Sequence, residues 1–222
     1  MTTSVVIAVD GTAACGKGTL ARLIARHYGF AHLDSGALYR LVALGVIEAN
    51  GDPSNEKDAV AAARHIDPKR ASDPIIRNDT VGRASSQVAA IPAVRAAIYD
   101  YQRNFAAHPP GSAPGAVIDG RDIGTVIAPK ADAKLFVDAR PEVRAHRRWL
   151  ELKALGISRE EGDVLAELNL RDAADRNRPI SPLKQAADAA LLDTSDLGIE
   201  VAFAAALYLI KDKVGKALAA RL

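Results

Sequence analysis

Residues 4–9 read SVVIAV, Asp10 follows, and residues 11–19 continue as GTAACGKGT. A short β-branched apolar run is the pattern of a strand buried on both faces, and the glycine-bounded stretch after it predicts a tight loop. From Lys17 to Tyr28, the residues Leu20, Leu23, Ile24 and His27 recur at helical spacing, and Gly29 can stop the helix. Strand, loop and helix in this order let successive backbone N–H groups face a phosphate, while the helix start adds partial positive charge and Lys17 a full one. The strict pattern G-x-x-x-x-G-K-[ST] is not met: Gly18 holds the hydroxyl position, and the hydroxyl comes one residue later as Thr19. Cys15 has no base beside it in the sequence and reads as a small space-filling residue.

Outward from this stretch, short apolar runs at residues 31–33, 116–118, 134–137 and 190–192 alternate with helical patterns at 37–48, 55–65, 92–107, 142–155 and 198–222. Five strands alternating with helices predict an α/β fold with a parallel sheet. The last pattern puts Ile199, Ala202, Phe203, Ala206, Leu207 and Ile210 on one face. Two stretches fit this scheme poorly. Residues 67–83 (DPKRASDPIIRNDTVGR) are polar and turn-rich, and residues 156–182 carry a long Arg/Asp pattern, so both are expected to be excursions from the core. No repeat and no linker is visible, and residues 1–222 are expected to form one domain.

With 222 residues, about half of them apolar, the chain can bury a full core. Its formal net charge of +2 creates no strong field, which argues against nucleic acid or an anionic membrane as a partner. Cys15 is the one cysteine, which suits a reducing compartment. The opening MTTSVVIAVDG has no basic flank and too short an apolar run for a signal peptide or a membrane span, so a cytoplasmic protein is expected.

Four segments recur in the order found in one family: GKGT at residues 16–19, LDSGALYR at 33–40, DGRDIGTVI at 119–127 and RDAADRNRPISPL at 171–183. Together with SSQVAAIPAVR at 85–95 and RAHRR at 144–148, they make the chain resemble the bacterial cytidylate kinases over nearly its whole length. The resemblance implies a P-loop NTPase core with a five-stranded parallel sheet flanked by helices, a monophosphate-binding insertion at about residues 35–107 and a lid at about 156–182. It also implies transfer of the γ-phosphoryl group of ATP to CMP or dCMP, by a monomer. Carried onto matching positions, Ser35, Arg40, Arg121 and Arg171 would hold the acceptor phosphate, Tyr39, Asp175 and Arg178 would lie near the ribose, and Ser86, Arg95 and Asp122 near the cytosine. Two departures stand out. Many relatives carry a strand-rich insertion where residues 67–83 are short, so a trimmed monophosphate lobe is expected. Ala173 and Ala174 stand where relatives often carry charge.

Bringing two polyanions together demands neutralised charge and excluded water, which is the work of arginine forks, a lysine and magnesium. Within this resemblance the ATP site takes in Gly11, Thr12, Ala13, Ala14, Cys15, Gly16, Lys17, Gly18 and Thr19, with Lys17 on the β and γ phosphates. Lys17, Arg121 and Arg171 are the expected catalytic groups. Thr19 and Asp119 are the candidate magnesium holders, through a hydroxyl at a helix start and a carboxylate at a strand end. Of Arg144, Arg147 and Arg148, which share a helix face, Arg147 is taken as the ATP contact. Taken alone, DGRD could be a mere turn, RAHRR a solvated face, and the Arg171–Arg178 charges surface ion pairs of little worth. Asp172 and Arg176 are read as structural, and the five histidines show no metal-ligand spacing. Two other functions stay open at this point. One is a P-loop kinase for UMP or another small acceptor; the other is a nucleotide switch, which the missing Asn-Lys-x-Asp motif disfavours.

Overall fold

The computed structural model describes residues 4–221. Met1 to Thr3, and Leu222 at the end of the expected last helix, lie outside the described residues. The described residues separate into two compact units, one formed by residues 4–32 and 106–221 and the other by Leu33–Phe105.

In the first unit, strand β1 (Val5–Gly11) lies at the centre of a five-stranded parallel sheet ordered β2-β3-β1-β4-β5. Its neighbours are β3 (Gly115–Gly120) and β4 (Ala133–Asp138), and β5 (Ala190–Asp193) pairs with β4. β2 (Ala31–Asp34) occupies the other edge and leads into the second unit. All but one residue of β1 is buried, as its unbroken apolar run predicts. Helices α1 (Lys17–Tyr28) and α8 (Ile199–Ala219) bury one face through Leu20, Ile24, Ala206, Ile210 and Val214, against Ile7, Val9, Leu135 and Val137 of the sheet. The parallel register aligns the strands' carboxyl ends, with Val9 opposite Asp119 and Gly11 opposite Val137. Ligands of open α/β sheets bind at that edge.

Helices α6 (Pro141–Ala154) and α7 (Glu161–Asn177) complete this unit. They pack through Ala145, Leu152, Val164 and Leu168, and the cluster includes Ala13 of the glycine loop. Trp149 packs against it and donates to the Arg159 carbonyl at 3.0 Å. Most of residues 156–182, expected only as a charged excursion, is therefore regular helix. Its buried face carries Asp172 and Asp175 as well as Val164 and Leu168, so no clean apolar period announces it.

The second unit is helical. It contains α2 (Ser35–Glu48), α3 (Glu56–Ala63), α4 (Asp79–Ala90) and most of α5 (Pro92–Ala107), with short 3₁₀ turns at Pro68–Ser72 and Pro74–Arg77. The turn-rich reading of residues 67–83 holds only up to Asn78. Its side chain accepts the Val81 N–H at 2.7 Å and starts α4, which buries Val81, Ala84, Val88 and Ala89. Gly82 and the flanking polar residues hide that helical period in the sequence.

Candidate active site

The glycine loop leaves the carboxyl end of the central strand. At Gly11 a Cβ would lie 2.0 Å from the Val137 carbonyl oxygen on the neighbouring strand, so no other residue fits without moving the backbone. Gly16, with φ 88°, is in the left-handed region and caps α1. No side chain caps this helix and no acidic residue stands in its first turn, which keeps its amino end positive for an anion. The Lys17 ammonium reaches back to the Thr12 carbonyl at 3.2 Å, folded over the loop. Thr19 is exposed in the first turn of the helix.

The loop is held from three sides. The buried Thr12 hydroxyl donates to Asp138 at 2.6 Å. Asp172 of α7 accepts the Ala13 N–H at 3.0 Å, while Arg144 of α6 donates to the Ala13 carbonyl at 2.9 Å. The Thr194 hydroxyl lies 3.1 Å from the Cys15 carbonyl, and Arg147 grips Thr194 through its hydroxyl at 3.1 Å and its carbonyl at 2.6 Å. Arg147 thus reaches the loop through the turn after β5. Cys15 is buried in the core, in agreement with its space-filling reading.

Each strand brings an aspartate to the carboxyl edge: Asp10, Asp34, Asp119, Asp138 and Asp193. Asp34 accepts the Ala37 N–H and caps α2, and Asp193 accepts the Ser195 N–H. Asp119 is buried, with Oδ1 2.7 Å from Nε2 of His32. Its Oδ2 lies 3.5 Å from where a Cβ on Gly18 would sit, which puts the carboxylate beside the start of α1. Asp10 is also buried, and it accepts the N–H groups of Ile123 at 2.8 Å and Gly124 at 2.7 Å. Burial pushes the Asp10 carboxyl up to about 7; the two N–H groups and the Lys17 charge pull it down, and the nearby Asp122 charge adds to the rise. Asp10, His32, Asp138 and Thr194 were not singled out from the sequence. The repeated aspartate at strand ends was the available signal.

Arg121 follows β3 and donates from Nε to Asp175 at 2.8 Å. Burial works against the Arg121 charge, yet Asp175 outweighs it and the guanidinium holds its proton more tightly than usual. Burial likewise presses the Asp175 carboxyl upward, but Arg121 and Arg178 leave it below the usual range. Asp175 lies 3.7 Å from Arg178. Arg171, Asp172 and Asp175 share the less exposed face of α7 and Arg178 follows at its carboxyl end, while Arg176 is exposed. Asp122 is buried.

In the second unit Ser35 opens α2 and is buried, Tyr39 is buried one turn later, and Arg40 donates to the Ile76 carbonyl at 3.2 Å. Arg95 is buried, donates to the Ala89 carbonyl at 3.3 Å, and lies 5.3 Å from the centroid of the Tyr39 ring. Ser86 is half-buried on α4. Among the described residues no group of three or more His, Cys, Asp or Glu side chains could hold a metal ion by itself, and no helix is long and apolar enough to cross a membrane.

The sequence model of the cytidylate kinases matches residues 7–212. The chain belongs to the cytidylate kinase family. A cytidylate kinase of Rhodospirillum rubrum is 53% identical over 211 residues, covering 95% of this chain and 99% of the relative. One from Afipia carboxidovorans is 52% identical, covering 93% and 97%. Membership of the cytidylate kinase family makes the chain a phosphotransferase acting on CMP or dCMP. A solved structure of an uncharacterized protein from Eubacterium ventriosum matches with a TM-score of 0.52 at 12% identity, over 93% of this chain and 98% of that one; the likeness is one of fold.

Proposed function

We propose that the chain transfers the γ-phosphoryl group of ATP to CMP or dCMP in the cytoplasm, as a monomer, giving ADP and CDP or dCDP. The observation that carries the donor half is the glycine loop at the carboxyl end of the central strand, with a helix start that no side chain caps behind it and Lys17 folded over it. Residues 11–19 bind the ATP phosphates through their N–H groups, and Lys17 follows the charge that grows on the β–γ bridge as the phosphoryl group leaves. Arg147 supports the donor side from the turn after β5.

The residues near the start of α1 fit magnesium. Thr19 and Asp119, whose carboxylate lies beside the start of α1, offer hard oxygen donors to an ion that keeps waters and phosphate oxygens in its shell. When bound, magnesium neutralises phosphate charge. His32 orients Asp119 for this task through the 2.7 Å contact.

On the acceptor side, Ser35, Arg40, Arg121 and Arg171 take the monophosphate, Tyr39, Asp175 and Arg178 the sugar, and Ser86, Arg95 and Asp122 the base. Residues 35–107 serve the acceptor. Residues 156–182 act as the lid that keeps water from the γ-phosphate, which suppresses ATP hydrolysis. The family motifs, each present at its own position, support this assignment. The test is initial rates for CMP, dCMP, UMP and AMP at fixed ATP and magnesium. CMP and dCMP should dominate, and a flat profile or no turnover would remove the reading.

A further inference from the structure

Ala13 is gripped at both of its backbone polar groups, one in the peptide before it and one in the peptide after it. Its N–H donates to Asp172 at 3.0 Å, and its carbonyl accepts from Arg144 at 2.9 Å. Arg144 also donates to Asp172 at 2.5 Å and to the Ala139 carbonyl at 2.9 Å. Both side chains are 2% exposed. A buried ion pair contributes little net stability compared with apolar packing, so its value lies in the geometry it enforces. What it enforces here is local: the next residue, Ala14, has φ 58°, a left-handed conformation that a non-glycine residue keeps only where its surroundings dictate it. The residues after it supply the N–H groups of the loop.

The same helix holds a second contact of this kind. Asp175 lies three residues after Asp172, hence on the same face of α7, and accepts from Arg121 at 2.8 Å. One helical turn therefore holds the donor loop by its backbone and an arginine after β3 by its side chain. We propose that Asp172 and Arg144 are positioning residues that set the Ala13 peptide, so that α7 joins the shape of the ATP loop to the state of Arg121. The coupling half rests on the reading that Arg121 meets the acceptor phosphate. An anion that competes with Asp175 for Arg121 then disturbs α7, and the disturbance reaches Ala13 through Asp172. Such a coupling is reciprocal between the two ligands.

The experiment measures, by calorimetry, the affinity of the imido analogue of ATP with magnesium, in the absence and presence of CMP. The proteins are the wild type, Asp172→Asn and Arg144→Lys, each held well below its melting midpoint. Asp172→Asn should weaken the analogue about tenfold or more while CMP alone binds within about twofold of wild type. Arg144→Lys, which keeps the charge opposite Asp172 but loses the fork, should fall between. In the wild type CMP should change analogue affinity at least threefold, and in Asp172→Asn that factor should return towards one. Unchanged analogue affinity, or equal weakening of both ligands, would overturn the positioning role; a wild-type factor of one would overturn the coupling. Should both variants fail to fold, amide exchange of the wild type decides: the Ala13 N–H should be protected like those of β1, and exchange at the rate of an open loop would reject the clamp. Turnover of CMP by the wild type tests the acceptor reading separately, because the analogue and exchange results judge the clamp whether or not CMP is the substrate.

Discussion

Replacing Asp10 by Asn should remove a pH dependence of stability that the buried carboxyl builds into the wild type. Asp10 is 4% exposed, and its carboxyl is raised from the ordinary 3.8 to about 7 by burial, against the pull of two backbone N–H groups and of Lys17. The folded protein thus keeps a proton that the unfolded chain has already released between these two values. A raised acid stabilises fully below 3.8, loses that contribution as pH rises, and adds no further slope beyond about 7. The full swing is about 4 kcal/mol, from roughly three pKa units at 1.36 kcal/mol each. Between about pH 5 and pH 7.5 the same linkage gives about 2.5 kcal/mol. Asn cannot titrate, and its amide group would face one of the two N–H donors, so the variant carries a constant penalty of its own. The assay is urea unfolding of both proteins at the two pH values, compared as a difference of differences, in which groups common to both cancel. The wild type should lose about 2.5 kcal/mol more than the variant on going to the higher pH. Profiles that stay parallel within about 0.5 kcal/mol would refute the argument, because Asp10 would then titrate alike in the folded and unfolded states.

Lys17→Ala should lower kcat by about two to three orders of magnitude, with an unchanged circular dichroism spectrum, because the ammonium acts on charge that develops in the transition state. A near-normal kcat would exclude Lys17 from the chemistry. Asp122→Asn should narrow the CMP-to-UMP ratio of kcat/KM at least tenfold, about 1.4 kcal/mol. Cytosine offers an amino donor to the carboxylate, whereas uracil presents a carbonyl in its place. A ratio that does not move would show that this carboxylate does not read the base. Gly11→Ala should destabilise the fold by several kcal/mol, since the added methyl would meet the Val137 carbonyl at 2.0 Å. Thermal unfolding measures this, and a melting midpoint equal to wild type would be incompatible with that close approach.

The strand, loop and helix of residues 5–28 were legible because their signals are local: an unbroken β-branched run, glycines at fixed spacing, and an apolar period of 3.6. The same holds for the five parallel strands and for α8, whose buried residues recur every three or four positions. The candidate site residues were named through family motifs, each a short contiguous string. What no local pattern carries is the pairing of groups remote in sequence. Ala13 and Asp172 are 159 residues apart, Asp10 and Ile123 113, and His32 and Asp119 87. The last two contacts exist because parallel strands bring their carboxyl ends to one edge, and the first because α7 packs against the loop that leaves that edge. There, a carboxylate shielded from water must take whichever N–H, hydroxyl or cation the fold sets before it. Helix α7 makes the same point. Its buried face is half carboxylate, a pattern that in sequence reads as a solvated charged stretch, and only the Ala13 peptide, Arg144 and Arg121 opposite it make that face an interior one.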